Sequence, residues 1–67
     1  MSNVTYPDIN VKLSGTDGNA FAIIGKVSKA IRQGVGAEEA KKFTSEVTKS
    51  ESYDELLQFC MRTVNVT

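Results

Sequence analysis

Histidine is absent from this 67-residue chain, and cysteine occurs once, as Cys60. One cysteine excludes a disulfide within the chain. Together with the missing histidine it also excludes the thiolate and imidazole clusters that zinc prefers. It leaves Cys60 without the neighbouring base that raises a thiolate fraction for nucleophilic work. Charge of one sign is lacking too, since eight basic residues balance eight acidic ones. Binding to nucleic acid through counterion release then needs a segregated basic face rather than a surplus. No apolar run approaches the ~18–20 residues that span a bilayer. The opening MSNVTYPDIN has no basic region followed by an apolar stretch, so a secretory signal is not expected there. A cytoplasmic protein with a reduced Cys60 is the expectation. Asn3-Val4-Thr5 and Asn65-Val66-Thr67 match the glycosylation triplet, which carries no weight without secretion.

A chain of this size forms one domain, spanning residues 1–67. Such a domain buries only about 60% of its unfolded surface. Its stability is marginal, and with no disulfide or metal the remaining common support is oligomerisation. A homodimer is therefore expected from size alone.

Residues 1–7 read as a loose lead-in ending at Tyr6-Pro7. Ile9, Val11 and Leu13 alternate with Asn10 and Lys12, and this period of two predicts a half-buried strand over 9–14. A turn cluster, Ser14 to Asn19, follows. Asp17 or Asn19 can cap the first helix, expected over 19–33. Its core face is Ala20, Ile23, Ile24, Val27, Ala30 and Ile31, with Phe21 at the margin. Gly25 sits mid-helix beside Ser28, at a cost of about 1 kcal/mol relative to alanine. That shallow notch suggests a second backbone coming close.

Gly34-Val35-Gly36 ends this helix. The second runs over 37–49, with Glu38 and Glu39 in its first turn to suit the macrodipole. Its stripe is narrow, Ala40, Phe43 and Val47, so it should be the least anchored helix, held mainly by Phe43. Ser52 with Glu55 fits a capping box just before Leu56-Leu57. The third helix is expected over 53–63, with Tyr53, Leu56, Leu57, Cys60, Met61 and Val64 on one face. The β-branched tail 64–67 predicts a short closing strand paired with the first. The fold class is thus α+β, in the order β-α-α-α-β, with three helices packed on a two-stranded sheet. If each element reverses the last the two strands come out parallel, but the helices need not alternate cleanly, so the sequence leaves the strand orientation open.

No catalytic constellation is present. Gly15-Thr16-Asp17-Gly18 lies between strand and helix, where anions bind to exposed amides. Yet it matches neither phosphate-binding glycine pattern, and Asp17 repels an anion. Calcium would need a closing glutamate where Ser28 stands. Cys60, among Leu56, Leu57 and Val64, reads as a small buried hydrophobe. Asp17, Glu38, Glu39, Asp54 and Glu55 all fall at helix starts, as capping and dipole terms require. No enzyme activity, cofactor or metal is expected.

Two surfaces remain. Phe21, Gly25, Ser28 and Phe59 are the candidates for a protein contact. Lys26, Lys29, Lys41 and Lys42, with Arg32 to one flank, are the candidates for a nucleic-acid contact. No aromatic residue interleaves with them to stack a base. The open edges of a two-stranded sheet offer a further route to a dimer.

The runs VKLSGTDGNAFAIIGKVSKAIR and YDELLQFCMRTVNV resemble a group of short uncharacterised bacterial and phage-borne proteins. Those share a "TDGNAFAI" run after a short strand and a late "YDxLLQ" helix with a valine-rich tail. That resemblance implies no activity, cofactor or binding residue. Gly34 to Ala40 followed by Tyr53-Asp54-Glu55-Leu56-Leu57 is similar in pattern to ubiquitin-associated three-helix domains, over the last two helices. Val35 stands where that family usually carries an aromatic residue. Protein contact or homodimerisation is the function expected. A phage or mobile-element accessory role on nucleic acid is the alternative.

Overall fold

A computed structural model describes residues 4–13 and 19–67. The elements are β1 Tyr6–Val11, α1 Ala20–Gly34, α2 Ala37–Val47, α3 Tyr53–Thr63 and β2 Val64–Val66. This is the β-α-α-α-β order of an α+β domain. Its two strands pair in parallel. Parallel neighbours need a long crossover between them, and here three helices supply it.

β1 starts earlier than the alternation of Ile9, Val11 and Leu13 predicts. Tyr6 already pairs with Val64, Asn10 with Asn65 and Val11 with Val66. Four residues of β1 therefore span one step of β2, and the ladder is irregular between Tyr6 and Asn10. Pro7 falls in that irregular stretch, where a missing N–H costs no ladder bond. The pairing reaches past the strand ends. Thr5 N–H donates to the Arg62 carbonyl at 2.8 Å, Thr67 N–H to Val11 at 2.9 Å, and Leu13 N–H to Thr67 at 3.0 Å. The expected lead-in over 1–7 is thus tied down from Thr5 onward.

The alternation itself holds. Val11 is buried and Ile9 and Leu13 are half-buried, while Asn10 and Lys12 are exposed. On the outer face Asn65 Nδ2 donates to Asn10 Oδ1 at 2.6 Å, a polar rung joining the strands.

α1 begins at its cap. Asn19 Oδ1 accepts from the Phe21 N–H at 2.8 Å, satisfying one of the orphan donors of the first turn. Asp17, the other cap expected, lies with the turn 14–18 outside the described residues. Ile23, Ile24, Val27 and Ile31 are buried, and Ala20 and Ala30 pack beside them. Gly36 closes the connection to α2 at φ 152°, a conformation that side-chain-bearing residues rarely adopt. Ser52 Oγ caps α3 by accepting from Glu55 N–H at 3.1 Å.

Two expectations about packing are corrected. α2 is not the least anchored helix. Its stripe is narrow, but Ala40, Phe43 and Val47 are all buried, Val47 completely, and α2 makes its main packing surface against α1. A short connection and a small Ala40 at the contact let the two helices lie close, so a narrow stripe suffices. α3 is also rotated from the expected face. Leu56, Cys60 and Thr63 are buried, Leu57 and Phe59 partly so, while Tyr53 and Met61 stand exposed. The core lies on the Phe59 side of Cys60, where Phe43 meets Phe59 with ring centroids 5.7 Å apart. Thr63 reaches the core because its hydroxyl donates to the Phe59 carbonyl at 2.8 Å, so its buried oxygen is not left unpaired.

Candidate functional site

Phe21, Gly25, Ser28 and Arg32 fall within about 60° of one another around α1, on the flank beside its buried stripe. Phe21 is 82% exposed, the most open large apolar side chain among the described residues. Nothing lies within 4 Å of where a Cβ on Gly25 would stand. The second backbone expected at the Gly25 notch is therefore not found among the described residues.

This line runs into a groove between α1 and α2. Ser28, Arg32, Ala37, Ala40, Lys41, Thr44 and Ser45 line a volume of about 560 Å³. The Ser28 and Thr44 hydroxyls, 3.3 Å apart, join the two helices across it. Thr44 Oγ1 also lies 2.9 Å from the Ala40 carbonyl, the nearer acceptor for its one proton, and the Ser28 hydroxyl can then donate across the groove. Alanines keep the floor low, and Arg32 and Lys41 stand on it. Among the described residues no acidic side chain lines this groove.

Phe59 does not join that surface. It packs on Phe43 and belongs to a second groove, on the other flank of α2, with Thr5, Tyr6, Glu39, Lys42, Glu46 and Thr63. There the Tyr6 hydroxyl donates to Glu39 Oε2 at 2.9 Å. That bond raises the Tyr6 pKa above its usual value, with desolvation and the Glu39 charge adding to it. The four expected protein-contact residues thus divide: Phe21, Gly25 and Ser28 share one flank, and Phe59 serves the core.

The four lysines divide as well. Lys26 and Lys29 are exposed on α1. Lys41 lines the α1/α2 groove, whereas Lys42 lies on the opposite flank, 3.9 Å from Glu39. Successive helical residues are about 100° apart, which sends Lys41 and Lys42 to different grooves. They do not form one row.

Cys60 is buried and free, and burial pushes its pKa up to about 11. A protonated thiol in the core is a packing group, as its place in the α3 pattern suggests. Among the described residues no group of three or more His, Cys, Asp or Glu converges as metal ligands, and no helix is long and apolar enough to cross a membrane.

Neither Thr44 nor Ser45 was marked by any signal in the sequence, because their importance comes from the pairing of α2 with α1. Arg32 was visible as a flanking cation but not as part of a groove. No family model, curated protein or solved structure matches the chain.

Proposed function

We propose that this is a non-enzymatic, cytoplasmic protein that acts through protein contacts, made with a partner or a second copy by the outer flank of α1. One observation carries the reading: Phe21 is 82% exposed and lies one turn from the unoccupied space over Gly25. A large aromatic side chain left in water beside a bare stretch of backbone is what a covered surface looks like when its cover is removed. Gly25 supports this further. A glycine at mid-helix costs about 1 kcal/mol relative to alanine, and no neighbour among the described residues requires it.

The test is photo-crosslinking from position 21 combined with mass measurement. A photoreactive phenylalanine analogue replaces Phe21, and in a control the same probe replaces Glu51, which is also exposed. A discrete adduct from position 21 alone, or a concentration-dependent mass lost in Phe21→Ser, is the expected result. A strictly monomeric mass at high concentration together with no discrete adduct in cells would sink the reading.

A further inference from the structure

The groove beside that flank is unusual for a chain with no net charge. Arg32 and Lys41 both line it, and among the described residues no carboxylate lines it and neither cation has an acidic partner. Elsewhere on and just past α2 the lysines are matched: Lys42 lies 3.9 Å from Glu39, and Lys49, in the turn after the helix, lies 3.8 Å from Glu46. The positive end of the groove is thus left open while its surroundings are neutralised in place. The rest of the lining is Ala37, Ala40, Ser45 and the paired hydroxyls of Ser28 and Thr44.

We propose that the α1/α2 groove binds an acidic amphipathic helix of a partner protein. Its carboxylates pair with Arg32 and Lys41, and its small apolar side chains lie on Ala37 and Ala40. This inference rests on the protein-contact reading and names the chemistry of the partner. Charge complementarity decides for an acidic occupant. Ala37 and Ala40 in the groove, with Phe21 exposed on the same flank two turns along α1 from Ser28, decide for one with an apolar stripe, since a helix laid in a groove anchors by such a stripe. A phosphate backbone fits less well. It asks for a row of cations, and Lys42 is turned away to the other groove beside Glu39.

The experiment is an amide-shift NMR titration of the whole protein with a helical peptide of about 15 residues built from Glu, Leu and Ala, with Glu spaced three and four apart. A matched peptide carries Gln for Glu, and a mixed-sequence DNA duplex serves as the third ligand. Saturable shifts at Ser28, Arg32, Lys41 and Thr44 with the Glu peptide are expected. They should weaken by about tenfold in Arg32→Gln and in Lys41→Gln, and be lost with the Gln peptide. Both substituted side chains are exposed, so these variants keep the fold, which the unchanged remainder of each spectrum verifies. Equal binding of the Glu and Gln peptides overturns the acidic assignment while leaving the protein-contact reading in place. Shifts from duplex DNA with none from the Glu peptide overturn it in favour of nucleic acid. No response at the groove to either peptide at millimolar concentration overturns it outright, and the crosslink from position 21 then decides the wider reading separately.

Discussion

The Tyr6 hydroxyl donates to Glu39 Oε2 at 2.9 Å across a separation of 33 residues. This contact ties the start of β1 to the first turn of α2. It lies at the edge of the Phe43–Phe59 pair and holds the irregular end of the strand ladder against the helices. A residue that the sequence places in a loose lead-in thus works as a clamp.

The clamp has a pH signature. The folded-state pKa of Tyr6 is raised, because Glu39 accepts from the protonated phenol and repels the phenolate. The folded state therefore holds that proton more tightly than the unfolded chain. Its contribution is fully present below the ordinary tyrosine pKa of about 10 and is lost as pH rises through the higher folded value. Denaturant unfolding of wild type and Tyr6→Phe between neutral pH and pH ~11 should show a steeper alkaline loss in wild type. Parallel curves would refute the clamp.

Cys60 is predicted to be chemically silent in the folded protein. Its pKa of about 11 and complete burial leave almost no accessible thiolate near neutrality. Labelling by a thiol reagent should follow global unfolding, slow in buffer and immediate in denaturant. Rapid labelling of native protein would contradict the burial.

Two glycines should respond in opposite directions. Gly36→Ala forces a side chain onto φ 152°, which should cost about 1–3 kcal/mol. Gly25→Ala places a methyl in open space and should stabilise the domain by up to about 1 kcal/mol. If the α1 flank is a contact surface, the same Gly25→Ala variant should bind its partner more weakly despite the gain in stability. Thermal unfolding and the crosslink yield from position 21 measure the two effects separately.

Ile31 is completely buried at the centre of the helical layer. Truncation to alanine should cost about 2–5 kcal/mol, and Ile31→Val only about 0.5–1.5 kcal/mol. A domain of this size has a total stability of only several kcal/mol, so Ile31→Ala should be largely unfolded where Ile31→Val is not. Circular dichroism with denaturant titration distinguishes them.

Much of the fold was legible in the sequence. Asn19 and Ser52 announced their helices because a cap is a bond between near neighbours, and both bonds are present. The α1 face was readable because four of its members recur at helical spacing and are buried together. The face of α3 was harder to place. Tyr53, Leu56, Leu57, Cys60, Met61 and Val64 make a wide apolar arc, and periodicity alone cannot say which edge of it meets a neighbour. Phe43, from another helix, made that choice by packing its ring at a tilt against Phe59. The candidate site was half legible. Phe21 and Gly25 stood out on one helix, but the groove needs Lys41 and Thr44 from a second.

The sequence by itself determined the kinds of element, their order, two of the caps and the alternation of β1, because each depends on residues a few positions apart. Tertiary structure decided the early start and irregular register of β1, since a strand's ends are set by what pairs with it across 58 residues, from Tyr6 to Val64. It decided too that α2 would lie along α1, placing Arg32 and Lys41 over a floor of alanines with no carboxylate beside them. Local chemistry made each helix amphipathic. Only the packing of one on another made a groove with a charge of its own.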